Sequence, residues 1–372
     1  MKLTNMFKSA GLAGSLMMGA ALSAVAPAAL ADQEYLLTVT RPNQLHVIDM
    51  STNEVARTCD IPDEFGSGIM SVHPDGTHVF ILGHNWENVY GFDIRNCELT
   101  FKAAQSSPTL QVKSFQSLAV SADGKELYTV QNPVKLHRDR FEILQPRLAV
   151  FNIEDGLNAK PVRTFPVDRR ITKIVATETG EVVLGGADLK AINPKTGEVR
   201  TLVKLANWER GPEWLPPDAF AMHTQGGQSN EYIMPYATAR FTDDSMNIET
   251  AEWWWGMARV DLETGEVERR EIFPFEFIIF NIVSDPRNSD ILYGSFNTLS
   301  KHDISQKKTL AVKEMPHTYY TINISADGET LYVGGTSSDI SIHNSETLEK
   351  IGSIQLSGDM STADLRVATI RD

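Results

Sequence analysis

The side chains able to do chemistry in this chain are numerous, but they do not gather. Nine histidines (His46, His73, His78, His84, His137, His223, His302, His317 and His343) are scattered along 372 residues, and no two stand at metal-ligand spacing. The adjacent carboxylates Asp243 and Asp244 lie in a polar stretch and read as solvated rather than as an acid–base couple. No G-x-S-x-G elbow, H-E-x-x-H, G-x-G-x-x-G or Walker loop is present. The only cysteines, Cys59 and Cys97, cannot build a four-cysteine metal site, and there is no C-x-x-C-H haem attachment. The sequence therefore predicts no catalytic residue, no metal and no cofactor held by this chain itself. What remains is the chemistry of recognition, carried by aromatic and arginine side chains.

Those side chains have to be placed by a scaffold, and the scaffold begins after residue 31. Met1–Ser9 carries Lys2 and Lys8, Ala10–Ala26 is mostly apolar and small, and Ala29-Leu30-Ala31 ends the segment. That is the pattern of a secretory signal over 1–31, which leaves a mature chain of 32–372. Formal charge is −14 for the whole sequence, and −16 once the two leader lysines are gone. Such acidity argues against a nucleic-acid binder, and no later stretch is long and apolar enough to span a bilayer. Export makes the compartment oxidising, so Cys59 and Cys97 are candidates for a disulfide, with their geometry left open by sequence.

A repeat fills the mature chain. Seven apolar strands end on Asp or Asn at Asp49, Asp93, Asn152, Asn193, Asp261, Asp303 and Asn344, spaced 44, 59, 41, 68, 42 and 41 residues apart. A turn and a further strand follow each marker. Upstream of several stands a strand–turn–strand unit with Asp-Gly at its centre, as at Asp75-Gly76, Asp123-Gly124 and Asp327-Gly328. Four short strands every forty-odd residues predict an all-β fold, a seven-bladed β-propeller of four-stranded antiparallel blades. The N-terminus lacks one innermost strand and the C-terminus has one to spare, Ala363–Ile370. The spare strand is therefore expected to complete blade one and close the ring, which removes an open edge.

Both long spacings fall on one face. Asn132–Arg147 is inserted between the second and third strands of blade three, and roughly 235–256 at the same place in blade five, which is reached through the long segment Ala206–Pro217. Long loops on a rigid scaffold are where binding residues concentrate. These loops hold Trp253, Trp254 and Trp255, three of the six tryptophans, with Trp208 and Trp214 close by. Arg138, Arg140, Arg147 and Arg240 accompany them. Candidate residues for a pocket or partner interface are His137, Arg138, Phe141, Tyr236, Arg240, Trp253, Trp254, Trp255, His317, Tyr319 and Tyr320.

The same loops carry a family resemblance. The run Asn132–Arg147 (NPVKLHRDRFEILQPR) resembles the blade-three loop of the quinohemoprotein amine dehydrogenase beta subunit. Tyr236–Arg240 (YATAR), Pro316–Tyr320 (PHTYY), Thr40–Asp49 and Ser345–Lys350 are similar to other segments of that family, in the same order. The resemblance implies a periplasmic heterotrimer that oxidatively deaminates primary amines to aldehydes. In it the propeller subunit cradles a small subunit bearing cysteine tryptophylquinone, and a dihaem cytochrome c subunit takes the electrons. Quinone, haem c and catalytic base would then lie on the partners, and this chain would wall the amine pocket and exclude water. Two other classes stay open: a non-catalytic exported propeller binding a protein or envelope ligand, and a stand-alone propeller enzyme such as a lactonase. The second needs a metal or acid–base cluster at the axis, which these histidines and carboxylates do not assemble.

Overall fold

In the computed structural model, residues 32–63, 68–219, 230–360 and 363–371 are described, so the leader 1–31 and His223 lie outside the described residues. Their strands form seven antiparallel sheets arranged as blades around a ring. The innermost strands begin at Arg366, Met70, Leu118, Lys173, Asp218, Asn281 and Thr321, for blades one to seven in turn. Blade one consists of Arg366–Ile370, Gln33–Thr40, Gln44–Asp49 and Glu54–Asp60, from axis to rim. The C-terminal strand thus completes the N-terminal blade, with Gln33 paired to Ile370 and Leu37 to Arg366.

Burial follows strand position. Second and third strands are sandwiched between neighbouring blades and are buried on both faces, as His78–Gly83 and Asn88–Asp93 show. Outermost strands such as Lys308–Glu314 alternate between exposed and half-buried residues because only one face has a neighbour. The core is correspondingly a series of apolar clusters between blades. One is built around Leu36, Val47, Ile81 and Tyr332, another around Phe80, Phe101, Leu127 and Phe151.

The repeated Asp and Asn markers have a local cause. Each ends a third strand, and its side-chain oxygen accepts amide hydrogens from the turn that follows. Asn193 Oδ1 takes Lys195 N at 2.9 Å, Asp261 Oδ1 takes Thr264 N at 2.8 Å, and Asn344 Oδ1 takes Thr347 N at 2.9 Å. Asn152 is the exception: it makes no such bond and is followed by a 3-10 turn over Ile153–Asn158.

Two of the expected insertions are more ordered than loops. In blade five the second and third strands simply continue, as Glu231–Arg240 and Glu252–Asp261, paired residue for residue out to Arg240 and Glu252. Only 241–251 remains as a loop, because the aromatic and β-branched residues around it extend the ladder. In blade three the second strand runs on to Leu136 and collects two short partners, Leu110–Lys113 and Phe141–Ile143. The result is a three-stranded flap in which a segment preceding the blade takes part. Cys59, on the outer strand of blade one, and Cys97, in the outer turn of blade two, are joined by a disulfide with Cα atoms 5.3 Å apart.

Candidate functional site on the long-loop face

Connections between second and third strands, and from one blade to the next, share one face of the ring, and the candidate residues lie on or beneath it. On the flap, His137 and Arg140 form the tip, and His137 Nε2 sits 2.7 Å from Glu142 Oε2. Arg138 is exposed. Phe141 and Ile143 are two residues apart on an edge strand, so they point the same way, and they are 76% and 67% exposed. Arg147 is tied at the base through Nε to Gln131 Oε1 at 2.8 Å.

The tryptophan run divides by strand alternation. Trp253 and Trp255 share one face and Trp254 takes the other. Trp255 is buried; its indole N–H donates to the Phe277 carbonyl at 3.0 Å and its ring stacks on Phe275 at 4.7 Å. Trp253 is exposed and tilts against the same Phe275 at 6.1 Å. Lys307 Nζ stands 5.7 Å from the centre of Trp254. Tyr236 and Tyr319 are fully buried. They are footings of the face and present no free surface.

Trp208, Arg210 and Trp214 from the segment entering blade five form a ladder with Arg240 and Arg269 from the blade's own strands. Arg269 Cζ lies 3.3 Å from the Trp208 ring centre, Arg210 Cζ lies 4.0 Å from Trp208 and 3.6 Å from Trp214, and Arg240 Cζ lies 5.9 Å from Trp214. Arg210 also pairs with Glu271 at 2.9 Å, and burial pushes the nearby Tyr236 phenol above its ordinary range. These cation–π contacts and the ion pair add to backbone hydrogen bonds that fix the same segment, from Leu215 N to the Ala239 carbonyl at 2.9 Å and from Phe241 N to the Glu213 carbonyl at 2.7 Å. Replacing Arg210 by Met is expected to destabilise the chain by about 3 kcal/mol, since Glu271 loses its partner and two indoles lose the guanidinium between them. Urea unfolding checks this, and a change below about 1 kcal/mol would show the ladder to be ornamental.

At the junction of blades six and seven, His317 Nε2 lies 2.9 Å from Asp339 Oδ1, while Nδ1 faces the Thr318 carbonyl at 3.0 Å. The Tyr319 hydroxyl donates to Asp339 Oδ2 at 2.7 Å. Tyr320 belongs to a half-buried aromatic trio, 4.6 Å from Phe280 and 5.9 Å from Phe296. Asp339, Phe280 and Phe296 were not legible as site residues. Asp339 stands on a strand across from the His317 loop, and no spacing rule connects them.

These groups do not converge on one reacting centre. Among the described residues, no three His, Cys, Asp or Glu side chains gather as a metal site. The face instead collects apolar surface. Phe115, Phe141, Ile143, Met246, Ile248, Trp253 and Ile278 are half of the exposed large hydrophobic side chains among the described residues. Of the others, Val55, Val199 and Ile351 lie singly on outer strands, and Leu310 and Val312 form one pair on another. Scattered apolar residues need no explanation, but several on one set of loops mark a contact surface.

No protein-family model matches this chain, and no curated protein sequence does. Solved structures do. Apo AztD from Citrobacter koseri has a TM-score of 0.50 at 11% identity, over 91% of this chain and 99% of its own. The dihydro-heme d1 dehydrogenase NirN, in complex with DHE, has a TM-score of 0.54 at 12% identity, over 90% of this chain and 74% of its own. At such identities the likeness concerns the path of the backbone, and the chain is a seven-bladed β-propeller with distant structural neighbours.

Proposed function

We propose that this propeller is the cofactor-free subunit of a periplasmic quinohemoprotein amine dehydrogenase, and that its long-loop face seats the small quinone-bearing subunit. The observation that carries the reading is the concentration of exposed apolar side chains on that face, added to the sequence resemblance of the same loops. In this reading the partner's quinone supplies the two-electron oxidation of the primary amine, and haem c on the cytochrome subunit takes the electrons onward. The residues of this chain fit a supporting part. Cys59 and Cys97 are bonded to each other, so this chain offers no thiol for a thioether-linked quinone or haem. Its contribution is to bind the partner, orient it and keep water from the amine pocket.

The test is to capture tagged chain from cells grown on an amine and record visible spectra before and after adding n-butylamine. Expected are a small partner and haem bands that sharpen on amine addition; a lone, colourless chain without amine response would overturn the reading. Changing Phe141→Asp and Ile143→Asp together is expected to weaken partner capture by about tenfold or more while leaving the melting temperature unchanged, because both side chains are already solvated. Undiminished capture would move the interface elsewhere.

A further inference from the structure

The opposite face of the ring, where the turns are short, holds a site of different character. There the innermost strands of blades seven, one and two leave an open cavity of about 400 Å³, lined among others by Asn323, Arg366, Thr369 and His73, with Arg371 and Asp32 at its margin. Arg366 is 7% exposed, and its Nη2 donates to Asp364 Oδ2 at 2.6 Å. The same oxygen accepts the Met70 amide at 3.2 Å and lies 3.8 Å from Lys173 Nζ. Lys173 comes from the innermost strand of blade four, on the far side of the ring from blade one, so this contact crosses the axis.

Among the described residues the charges do not balance. Two cations, Lys173 and Arg366, share one carboxylate, and Lys173 is 1% exposed. Among the described residues, neither Lys173 Nζ nor Arg366 Nε has a hydrogen-bond partner. Burial lowers the Lys173 pKa to about 8, with Asp364 opposing the shift and Arg366 adding to it. A surplus buried positive charge is unfavourable unless an anion approaches it. The cavity reaches this cluster through Arg366, which both pairs with Asp364 and lines the open space.

We propose that this cavity is a binding site for a small oxyanion, a carboxylate or phosphate, seated on Arg366 with the field of Lys173 behind it. A planar guanidinium matches two oxygens of such an anion, which is why arginine rather than lysine faces the ligand. Arg371, 79% exposed and 3.9 Å from Asp32, can turn toward the anion from the margin. Asn323 is already committed, donating to the Leu365 carbonyl and accepting from Ile324, and His73 is held by the Gly124 carbonyl and Asp75. The site therefore recognises charge and the two-oxygen edge more than a particular carbon skeleton. None of the residues lining the cavity is among the long-loop candidates, and the proposal does not depend on the amine dehydrogenase reading.

The experiment is a melting-temperature and calorimetric titration of the mature chain with inorganic phosphate, with acetate and with chloride at constant ionic strength. A saturable rise with phosphate or acetate, absent with chloride, is expected. Response to phosphate alone, to acetate alone or to both assigns the oxyanion class. Lys173→Met removes the surplus charge but leaves Arg366 and Asp364 a matched pair, and is expected to weaken binding about tenfold. Should that variant fail to fold, Arg371→Ala, at an exposed position, is expected to weaken binding about threefold. Equal responses to all three anions, or affinity unchanged in both variants, would overturn the proposal.

Discussion

Acidification from about pH 7.5 to about pH 5 is expected to remove about 4 kcal/mol of stability through two histidines that the fold keeps neutral. His302 is fully buried, stacked on Phe273 at 3.7 Å and held between the Ser300 and Thr309 hydroxyls at 2.8 and 3.1 Å. His46 is 2% exposed and bonded to the Thr40 and Thr58 hydroxyls at 2.7 and 3.1 Å. Burial drives the His302 pKa down to about 3 and that of His46 to about 4, from 6.5. Between those values and 6.5 the unfolded chain binds protons that the folded chain refuses. Stability is therefore whole above pH 6.5 and falls as pH drops through the window, by about 2 kcal/mol for each ring at about pH 5. His343 is shifted the same way by burial and adds to the loss. Urea unfolding at the two pH values measures the effect. In His302→Gln the pH-dependent part should shrink to about half, whatever the variant's stability at neutral pH, and an undiminished dependence would show that other groups cause it.

Gly76→Ala should be nearly as damaging, for a steric reason. Gly76 has φ +70°, and a Cβ there would lie 1.9 Å from the Thr369 carbonyl oxygen on the closing strand of blade one. The variant would have to adopt an unfavourable left-handed backbone and also push blades one and two apart. About 3–5 kcal/mol is expected from the two effects together. Gly180 provides the control: its φ is +84°, yet nothing lies within 4 Å of a Cβ placed on it. Gly180→Ala should therefore lose only the conformational part, about 1–2 kcal/mol. Equal losses in the two variants would show that the contact with Thr369 relaxes without effect.

The ring was legible because its causes are local. Asp or Asn at the end of a third strand caps the next turn with its own side chain, and Asp-Gly supplies the positive φ of the inner turn, so both signals recur wherever a blade does. The missing inner strand at one end and the spare at the other followed by counting. The site was less legible because its contacts join segments with no fixed spacing. The flap recruits Leu110–Lys113 from before its blade, Asp339 meets His317 across a blade, and Arg269 reaches Trp208 from an outer strand. Distance from the tip of the blade-five hairpin also separated residues that looked equivalent. Tyr236 and Trp255, deeper along their strands, are buried in the core, whereas Trp253 and Arg240 at the outer end reach the surface. The Lys173–Asp364 contact lay beyond inference, since nothing in a repeat reports which residues meet across its axis.

The pairing of Gln33 with Ile370 also sets a timetable. A chain made from its N-terminus lays down three strands of blade one first and receives the fourth only after six further blades have been made. Through that interval the inner edge of Gln33–Thr40 has unpaired backbone groups, and the partner it awaits is almost a whole chain length away. Contacts so distant in sequence form slowly, and an open edge is what another copy of the chain can pair with. The seam that seals the finished ring is thus its most exposed point while the protein is being made.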